Sequence, residues 1–178
     1  MPRSLLVAFL IFDLFLAGVV GAVAVLAPTA PIHPESALFP VQDFAEQTWA
    51  SVVAGPGGRL SYQITLANRR ATDLESLAGT HGEMAGLVAL NRAADRILPE
   101  LAALASDKRS GYQQTLLDLS ARVNKSLATL QVLPSERSKA LYAFTARWSA
   151  FTTQLQSGLA DTAVLQSLAV RRAKEATA

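Results

Sequence analysis

Hydrophobic and polar positions follow the period of an α-helix along most of this 178-residue chain. From Val41 onward, apolar residues recur every three or four positions, which is the spacing of one buried face on an amphipathic helix. Alternating runs of β-branched residues, the pattern of a strand, are absent from the sequence. The pattern therefore predicts an all-α fold for residues 41–178.

Four apolar stripes define the long helices of the predicted bundle. They run over residues 60–77, 87–104, 112–130 and 141–155. Short segments rich in glycine, serine or proline separate the stripes, and connections this short predict antiparallel neighbours. The sequence therefore predicts an antiparallel helical bundle of about four long helices.

Shorter helices are predicted at both ends of this bundle. One occupies residues 41–54, with Phe44, Trp49 and Val52 as its apolar residues, and a terminal helix lies near 161–174. Core packing is the expected role of four aromatic residues that lie at helical spacing, Trp49, Phe144, Trp148 and Phe151.

Two sequence signals suggest where long helices begin. Thr80 is followed by Glu83, and Ser110 is followed by Gln113. Both pairs fit a capping box, in which the two side chains bind each other's backbone N–H groups. We therefore expect helices to begin just after residues 80 and 110.

The strongest apolar run is at the N-terminus. It extends over Leu5–Leu26 and is interrupted only by Asp13. A membrane-spanning helix needs roughly 20 apolar residues, whereas the apolar region of a cleaved signal is about 7–15 residues long. An uncleaved transmembrane helix at residues 5–26 is the leading interpretation. A cleaved signal and a buried core helix are the alternatives.

Charge at the N-terminus predicts the orientation of this span. Residues 1–4 are a short stub with Arg3 and the α-amino group as positive charges, so the positive-inside rule keeps them in the cytoplasm. Residues 27–40 contain half of the chain's eight prolines and predict an extended, extracytoplasmic stalk. Leu38 and Phe39 are expected to dock onto the helical domain at 41–178. The protein is thus predicted to be a single-pass protein of the cell membrane.

Asp13 is the polar exception inside the predicted span. A carboxylate there costs roughly 2.5–3.5 kcal/mol on insertion scales. A partner helix with a positive or hydrogen-bonding group is the functional interpretation, while a protonated Asp13 or a shallower helix is the alternative. Small residues one turn below would let a second helix approach closely. The candidate intramembrane contacts are Asp13, Ala17, Gly18, Gly21 and Ala22.

Composition sharpens the picture of a membrane segment attached to a helical domain. Of all residues, 51% are hydrophobic and 17% are charged, with a net charge of +2. Charged residues average roughly 25% in soluble domains, and Leu5–Leu26 contains only one charged residue, Asp13. With no cysteine, disulfides, thiol nucleophiles and cysteine-held metals are excluded. The near-zero net charge argues against nucleic acid as a partner.

Candidate metal chemistry rests on the only two histidines, His33 and His81. His81 with Glu83 and Met84 in one loop suggests copper or nickel sensing. A metal site needs three or four ligands, however, and a simple turn explains this loop. We therefore predict no metal and no other cofactor.

Candidate acid–base chemistry rests on two carboxylate pairs, Asp73 with Glu75 and Asp43 with Glu46. Two carboxylates can run glycoside hydrolysis when both face one site. Asp73 and Glu75 are two residues apart on a helix and face different sides. Solvated helix faces explain both pairs, so no catalytic residues are predicted.

Basic side chains are candidates for another kind of contact. Arg69 and Arg70 could meet anionic lipid headgroups or an acidic partner.

Two short segments resemble a known family. The run Pro34–Val41, followed by Glu46, Gln47 and Trp49, resembles the opening of an uncharacterised bacterial family of membrane-anchored, extracytoplasmic helical domains. There, a motif of proline, a short gap and Leu-Tyr/Phe-Pro follows an N-terminal span. Leu66–Arg70, with Asp73 and Leu74, is similar to the family's Leu-Ala-x-Arg-Arg helix.

This resemblance covers about residues 34–105 and departs from the family after 110. It implies a helical domain outside the cytoplasm. Some family members are encoded near extracytoplasmic sigma-factor systems, which implies a link with envelope signalling. It implies no activity.

The leading hypothesis is a non-catalytic, single-pass membrane protein that presents a helical bundle for protein–protein interaction. Its expected partners are the bilayer, other membrane or envelope proteins, and a second copy of the chain. It would be an accessory subunit of a membrane complex or an adaptor in envelope signalling. A periplasmic ligand or metal sensor on the same bundle is the alternative. A hydrolase that uses Asp73 or Glu46 is the third hypothesis.

Overall fold

The part of the chain that the computed structural model describes is helical. It contains no strand, so the predicted all-α class is confirmed for these residues. The described residues are 32–52, 55–128, 130, 143–146, 148–150 and 152–153.

Five helices have defined bounds in this part of the chain. They are α1 (Phe39–Val52), α2 (Gly55–Leu77), α3 (Glu83–Ala103), the one-turn α4 (Ser106–Arg109) and α5 (Gln113–Ala128). A 3-10 turn at Ser110–Tyr112 joins α4 to α5. Residues 143–146, 148–150 and 152–153 are also helical.

The chain divides into two compact units. The first is Met1–Val53 and includes α1, and the second is Ala54–Ala178 and includes α2 to α5. The sequence pattern alone had suggested that α1 belongs with the bundle at 41–178.

In the second unit, α2 and α3 form an antiparallel hairpin. Arg59, near the start of α2, donates from Nε to Oε2 of Glu100, near the end of α3, over 3.0 Å. At the other end of the hairpin, Gly86 of α3 lies against Leu74 of α2. These pairs confirm the predicted antiparallel arrangement, which the short connection at residues 78–82 requires.

Helix α5 runs parallel to α2 and therefore antiparallel to α3. Near the start of both helices, the Tyr112 hydroxyl donates to the Gly57 carbonyl over 3.0 Å. Near the end of both, the Ser126 hydroxyl donates to Oε1 of Glu75 over 2.8 Å. The chain thus runs up, down and up through the three long helices.

The predicted stripes form one core in the second unit. All positions chosen for the first two stripes are buried, as are Leu116, Leu119 and Val123 of the third. Phe144 and Trp148 join this core with their rings stacked at a centroid distance of 6.1 Å. The side chains of the other predicted positions in the fourth stripe lie outside the described residues.

Small residues let α2 and α3 approach closely. A Cβ atom placed on Gly86 would lie 3.3 Å from the Leu74 Cα atom and 3.2 Å from its Cδ1 atom. Ala67 and Ala71 are fully buried in the same core. The backbone of α3 therefore rests almost directly on α2 at this point.

The capping box predicted from Thr80 and Glu83 is wrong in its pairing. The Glu83 carboxylate accepts from the Gly79 N–H over 2.7 Å, one residue earlier than expected. The Thr80 hydroxyl donates to the Leu77 carbonyl and accepts from the Gly82 N–H. Because Gly79 has a φ of 75°, the chain turns back there and its N–H points at Glu83.

The second predicted box is also wrong, because the chain becomes helical earlier than Ser110. Helix α4 begins at Ser106, and the Ser110 hydroxyl donates back to the Asp107 carbonyl over 3.2 Å. Ser110 therefore lies within a helical stretch, where its side chain bonds to the preceding turn.

The membrane segment predicted from the sequence is not among the described residues. Within the described ranges, no helix combines the length and hydropathy needed to cross a bilayer. The run Leu5–Leu26 and the terminal helix predicted near 161–174 lie outside the part of the chain that the structure describes. The same holds for the predicted intramembrane contacts Asp13, Ala17, Gly18, Gly21 and Ala22.

Candidate functional site

Helix α1 has an unusual distribution of polarity within the first unit. Its buried side chains are Phe39, Gln42, Ala45, Glu46 and Ala50. Gln42 and Glu46 lie one turn apart, and the Gln42 Nε2 atom donates to Oε1 of Glu46 over 3.0 Å. A buried amide and carboxyl need such partners, because an unmade hydrogen bond in the interior is costly.

The chain before α1 folds back onto the same polar pair. The backbone N–H of Ile32 donates to Oε1 of Gln42 over 2.7 Å. Between them, the Ser36 N–H donates to the His33 carbonyl and closes a turn. Residues 32–38 are therefore held beside the first half of α1, where the sequence had predicted an extended stalk.

The opposite side of α1 is apolar and exposed. Phe44 is 64% exposed and Val52 is 70% exposed, and Leu38 and Val41 are also more than half exposed. We call these four side chains the α1 stripe. They are four of the five large apolar side chains that are exposed among the described residues.

One sequence expectation is wrong here. Leu38 and Phe39 were expected to dock onto the helical domain, but Leu38 is exposed and only Phe39 is buried. Phe44 and Val52, which mark this helix in the sequence as apolar residues, are exposed as well. Both sides of α1 carry apolar residues, so helical spacing alone could not tell which side is covered.

The second unit contains a buried ion pair on α2. The Arg70 Nη1 atom lies 2.9 Å from Oδ2 of Asp73, and Arg70 is only 2% exposed. Asp73 was expected on a solvated face and Arg70 among candidate contacts with lipid or an acidic partner, and both interpretations are wrong. In the buried pair, the attraction between the two charges offsets the free-energy cost of removing each of them from water.

Glu75 lies on another side of α2, as its two-residue spacing from Asp73 predicts. It accepts from Ser126 and lies 3.7 Å from the Arg122 guanidinium group. Arg122 also donates to the Thr72 hydroxyl over 2.8 Å. These bonds tie α2 to α5, so Glu75 is a contact between helices.

An open groove of about 540 Å³ lies beside these contacts. Its lining residues are Asn68, Glu75, Thr115, Asp118, Leu119, Ala121, Arg122 and Lys125. The lining mixes two acidic with two basic side chains, and Asp118 accepts from Gln114 over 2.8 Å. The groove thus lies between α2 and α5 and has a lining of mixed polar and charged groups.

Arg109 is an internal cation that the sequence analysis missed. It is 2% exposed, and its Nε atom donates to the carbonyls of Leu101 and Leu104 while its Nη2 atom donates to that of Ala102. These carbonyls end α3, where a cation also interacts favourably with the helix dipole. One feature of the sequence could have indicated this role: Arg109 is a basic residue that follows shortly after Leu104, the last residue of the second apolar stripe.

The other buried carboxylates are also held by polar contacts. Glu46 bonds to Gln42, and Glu83 accepts from the backbone of Gly79. Asp43 and Glu46 were expected to be a solvated pair, and this is wrong for Glu46, which is 1% exposed. The structure does not bring Glu46 and Asp73 together in one unit.

Neither histidine belongs to a cluster of metal ligands among the described residues. His33 and His81 are both exposed, in different units. Among the residues that the structure describes, no group of three or more histidine, aspartate or glutamate side chains could hold a metal ion.

Comparisons with known proteins add no relative. No protein-family model matches the chain, and neither curated proteins nor solved structures give a match. Inferences about function therefore start from the residues of this chain.

Proposed function

We propose that this chain is a non-catalytic, single-pass membrane protein that works by protein–protein contact. Its N-terminus lies in the cytoplasm, Leu5–Leu26 crosses the cell membrane, and the helical second unit stands outside. It acts as an accessory subunit of a membrane complex or as an adaptor in envelope signalling.

The observation that carries this proposal is Asp13 within the run Leu5–Leu26. An ionisable residue inside a span is costly, and a donor on a neighbouring helix offsets that cost. The small residues that follow Asp13, from Ala17 to Ala22, favour close helix packing. The span is therefore suited to lateral association as well as to anchoring.

The structure supports a non-catalytic role for the carboxylates considered as acids or bases. Asp73 is buried against Arg70, and Glu46 is buried against Gln42. Glu75 joins two helices through Ser126. Each of these groups has a structural partner that stabilises the packing of its helix.

The first experiment tests insertion and orientation. The full chain is expressed in bacteria, and its membranes are extracted with alkaline carbonate and floated on a density gradient. Because the chain has no cysteine, single-cysteine variants Ser4→Cys and Asn124→Cys can be labelled in spheroplasts with a membrane-impermeant maleimide. We expect the protein to float, and only the exposed position 124 to be labelled. Extraction by carbonate, or labelling at position 4, would contradict the proposal.

The second experiment tests association through the span. Chemical cross-linking in membranes is followed by purification in mild detergent for the native chain, Asp13→Ala and Asp118→Ala. Asp118 is an exposed carboxylate of the second unit and serves as the matched control. We expect cross-linked complexes for the native chain and the control, and their loss for Asp13→Ala. A monomer in all three samples would count against the proposal.

A further inference from the structure

We infer that the α1 stripe lies in the interfacial layer of a lipid bilayer, so that α1 is a surface-bound helix beside the membrane-spanning segment. This inference rests on the proposed function, because it needs the anchor. It adds a second, independent contact between the protein and the membrane.

The first argument is that one side of α1 leaves large apolar groups uncovered. The helix buries Gln42 and Glu46 beside three apolar residues, and it exposes the ring of Phe44 and the methyl groups of Val52. Exposed apolar surface of this kind is unfavourable in water. An apolar surrounding on the stripe side makes this arrangement favourable.

The second argument is the length of the tether. Leu26 ends the apolar run, and Ile32 is bonded to Gln42 in the first half of α1. Six residue steps at about 3.3–3.6 Å each reach no more than about 22 Å. If the run spans the bilayer, α1 is therefore confined to the neighbourhood of the membrane surface.

The third argument is the length of the helix itself. Helix α1 has 14 residues, which gives about 21 Å at 1.5 Å per residue. The hydrocarbon core is about 30 Å thick, so α1 is too short to cross it. A stripe along a short helix fits a position parallel to the surface, with the apolar face turned towards the acyl chains.

The charges on α1 indicate which lipid headgroups the surface contact requires. Helix α1 has no lysine or arginine, and at about 100° per residue Asp43 and Glu46 lie on the opposite side from Val41. Interfacial helices that need anionic lipids carry basic residues on their polar face. Binding here depends on apolar insertion and requires no anionic headgroup.

The test measures the depth of single side chains in the full chain. Nitroxide labels are attached to the variants Phe44→Cys and Val52→Cys, reconstituted in nanodiscs of phosphatidylcholine. Thr65→Cys, an exposed position of α2 in the second unit, is the control. Electron paramagnetic resonance then compares collisions with oxygen, which concentrates in lipid, and with a water-soluble nickel chelate.

We expect the ratio of oxygen to nickel collisions to be several-fold higher at both stripe positions than at position 65. Replacing part of the phosphatidylcholine with phosphatidylglycerol should leave the ratio unchanged. Two labelled positions keep the test decisive if one variant fails to fold.

Three results would overturn the inference. Nickel access at the stripe equal to that at position 65 means that the stripe faces water. Poor access to both reagents means that protein covers it, and dipolar coupling between labels on two chains would identify a second copy. A ratio that rises with phosphatidylglycerol means that electrostatic attraction is needed.

Failure of the inference is distinguishable from failure of the proposed anchor. A chain that does not float with vesicles contradicts the anchor itself. A chain that floats while its stripe labels report water contradicts only the surface contact of α1.

Discussion

Arg70 and Asp73 form an ion pair one turn apart on α2, with 2.9 Å between Nη1 and Oδ2, and both side chains are buried. A charge in this position is tolerated only while its partner is present. Removing one partner of a buried pair is far more damaging than replacing both, because the remaining charge stays inside without compensation.

We therefore predict that Asp73→Ala lowers the free energy of unfolding by about 3–5 kcal/mol. The double variant Arg70→Met with Asp73→Leu should recover most of this loss, because it removes both charges and keeps similar volumes. Asp118→Ala, at an exposed carboxylate, should change stability by less than about 0.5 kcal/mol. The free energies of unfolding of all three variants are measured by urea unfolding of the full chain in detergent, with circular dichroism as the signal. Equal stability of Asp73→Ala and the control would contradict this reading of the pair.

Gly86 gives a second prediction, in which an added methyl group is harmful. Alanine is ordinarily favoured over glycine inside a helix by about 1 kcal/mol. Here the methyl group would press on the backbone of Leu74 at 3.3 Å. We expect Gly86→Ala to lower the free energy of unfolding by about 1–2 kcal/mol.

Gly111 is the matched control for this prediction, because a Cβ atom there meets nothing within 4 Å. Gly111→Ala should raise stability by about 0.5 kcal/mol, since it restricts only the unfolded chain. Thermal unfolding of both variants shows whether each substitution raises or lowers the stability of the protein. A stabilising effect at both positions would mean that α2 and α3 are less closely packed than described.

Arg109 gives a third prediction, which concerns the end of α3. Arg109→Ala removes the donors to three carbonyls and should cost about 2–3 kcal/mol. Arg109→Lys should recover only part of this, because an ammonium group cannot reproduce the fork of the guanidinium. Lys108→Ala, at an exposed neighbour, is the control.

Hydrogen exchange locates the effect of Arg109. Amide protection in the last turn of α3 should fall in Arg109→Ala and stay unchanged in Lys108→Ala. If Arg109→Ala instead lowered amide protection uniformly, in α2 and α5 as well as in α3, this would show that Arg109 does not act on the end of α3 in particular.

Tyr112 gives a fourth prediction. Tyr112→Phe removes the hydroxyl that donates to Gly57 and should lower the free energy of unfolding by about 1 kcal/mol. Tyr112→Leu should cost more, because it also removes the ring that packs against the core. Exchange of amides in the first turns of α2 provides the local measurement, and an unchanged rate in Tyr112→Phe would refute the role of this bond.

Much of the second unit could be predicted from sequence. The stripes on α2 and α3 mark the core because each has a single apolar side, and their short connection requires antiparallel packing. Periodicity identifies which residues share a side of a helix. In a helix with one apolar side, this also identifies the buried side.

The rest could not be predicted, for two physical reasons. The two sides of α1 are too similar in polarity, so which side is buried depends on tertiary contacts that helical spacing does not reveal. Arg70 and Arg109 were not recognised as internal, because charged residues are almost never fully buried unless they are paired. Their partners, a carboxylate one turn away and three backbone carbonyls, become visible only when the chain is folded.

The short connection at residues 78–82 also has a consequence for the order of folding. The contacts between α2 and α3 are closed by a small loop, whereas Tyr112 must find Gly57 across the whole hairpin. Loop closure costs less entropy when the intervening chain is shorter, and local contacts form faster. We therefore expect the hairpin of α2 and α3 to form first and α5 to pack against it afterwards.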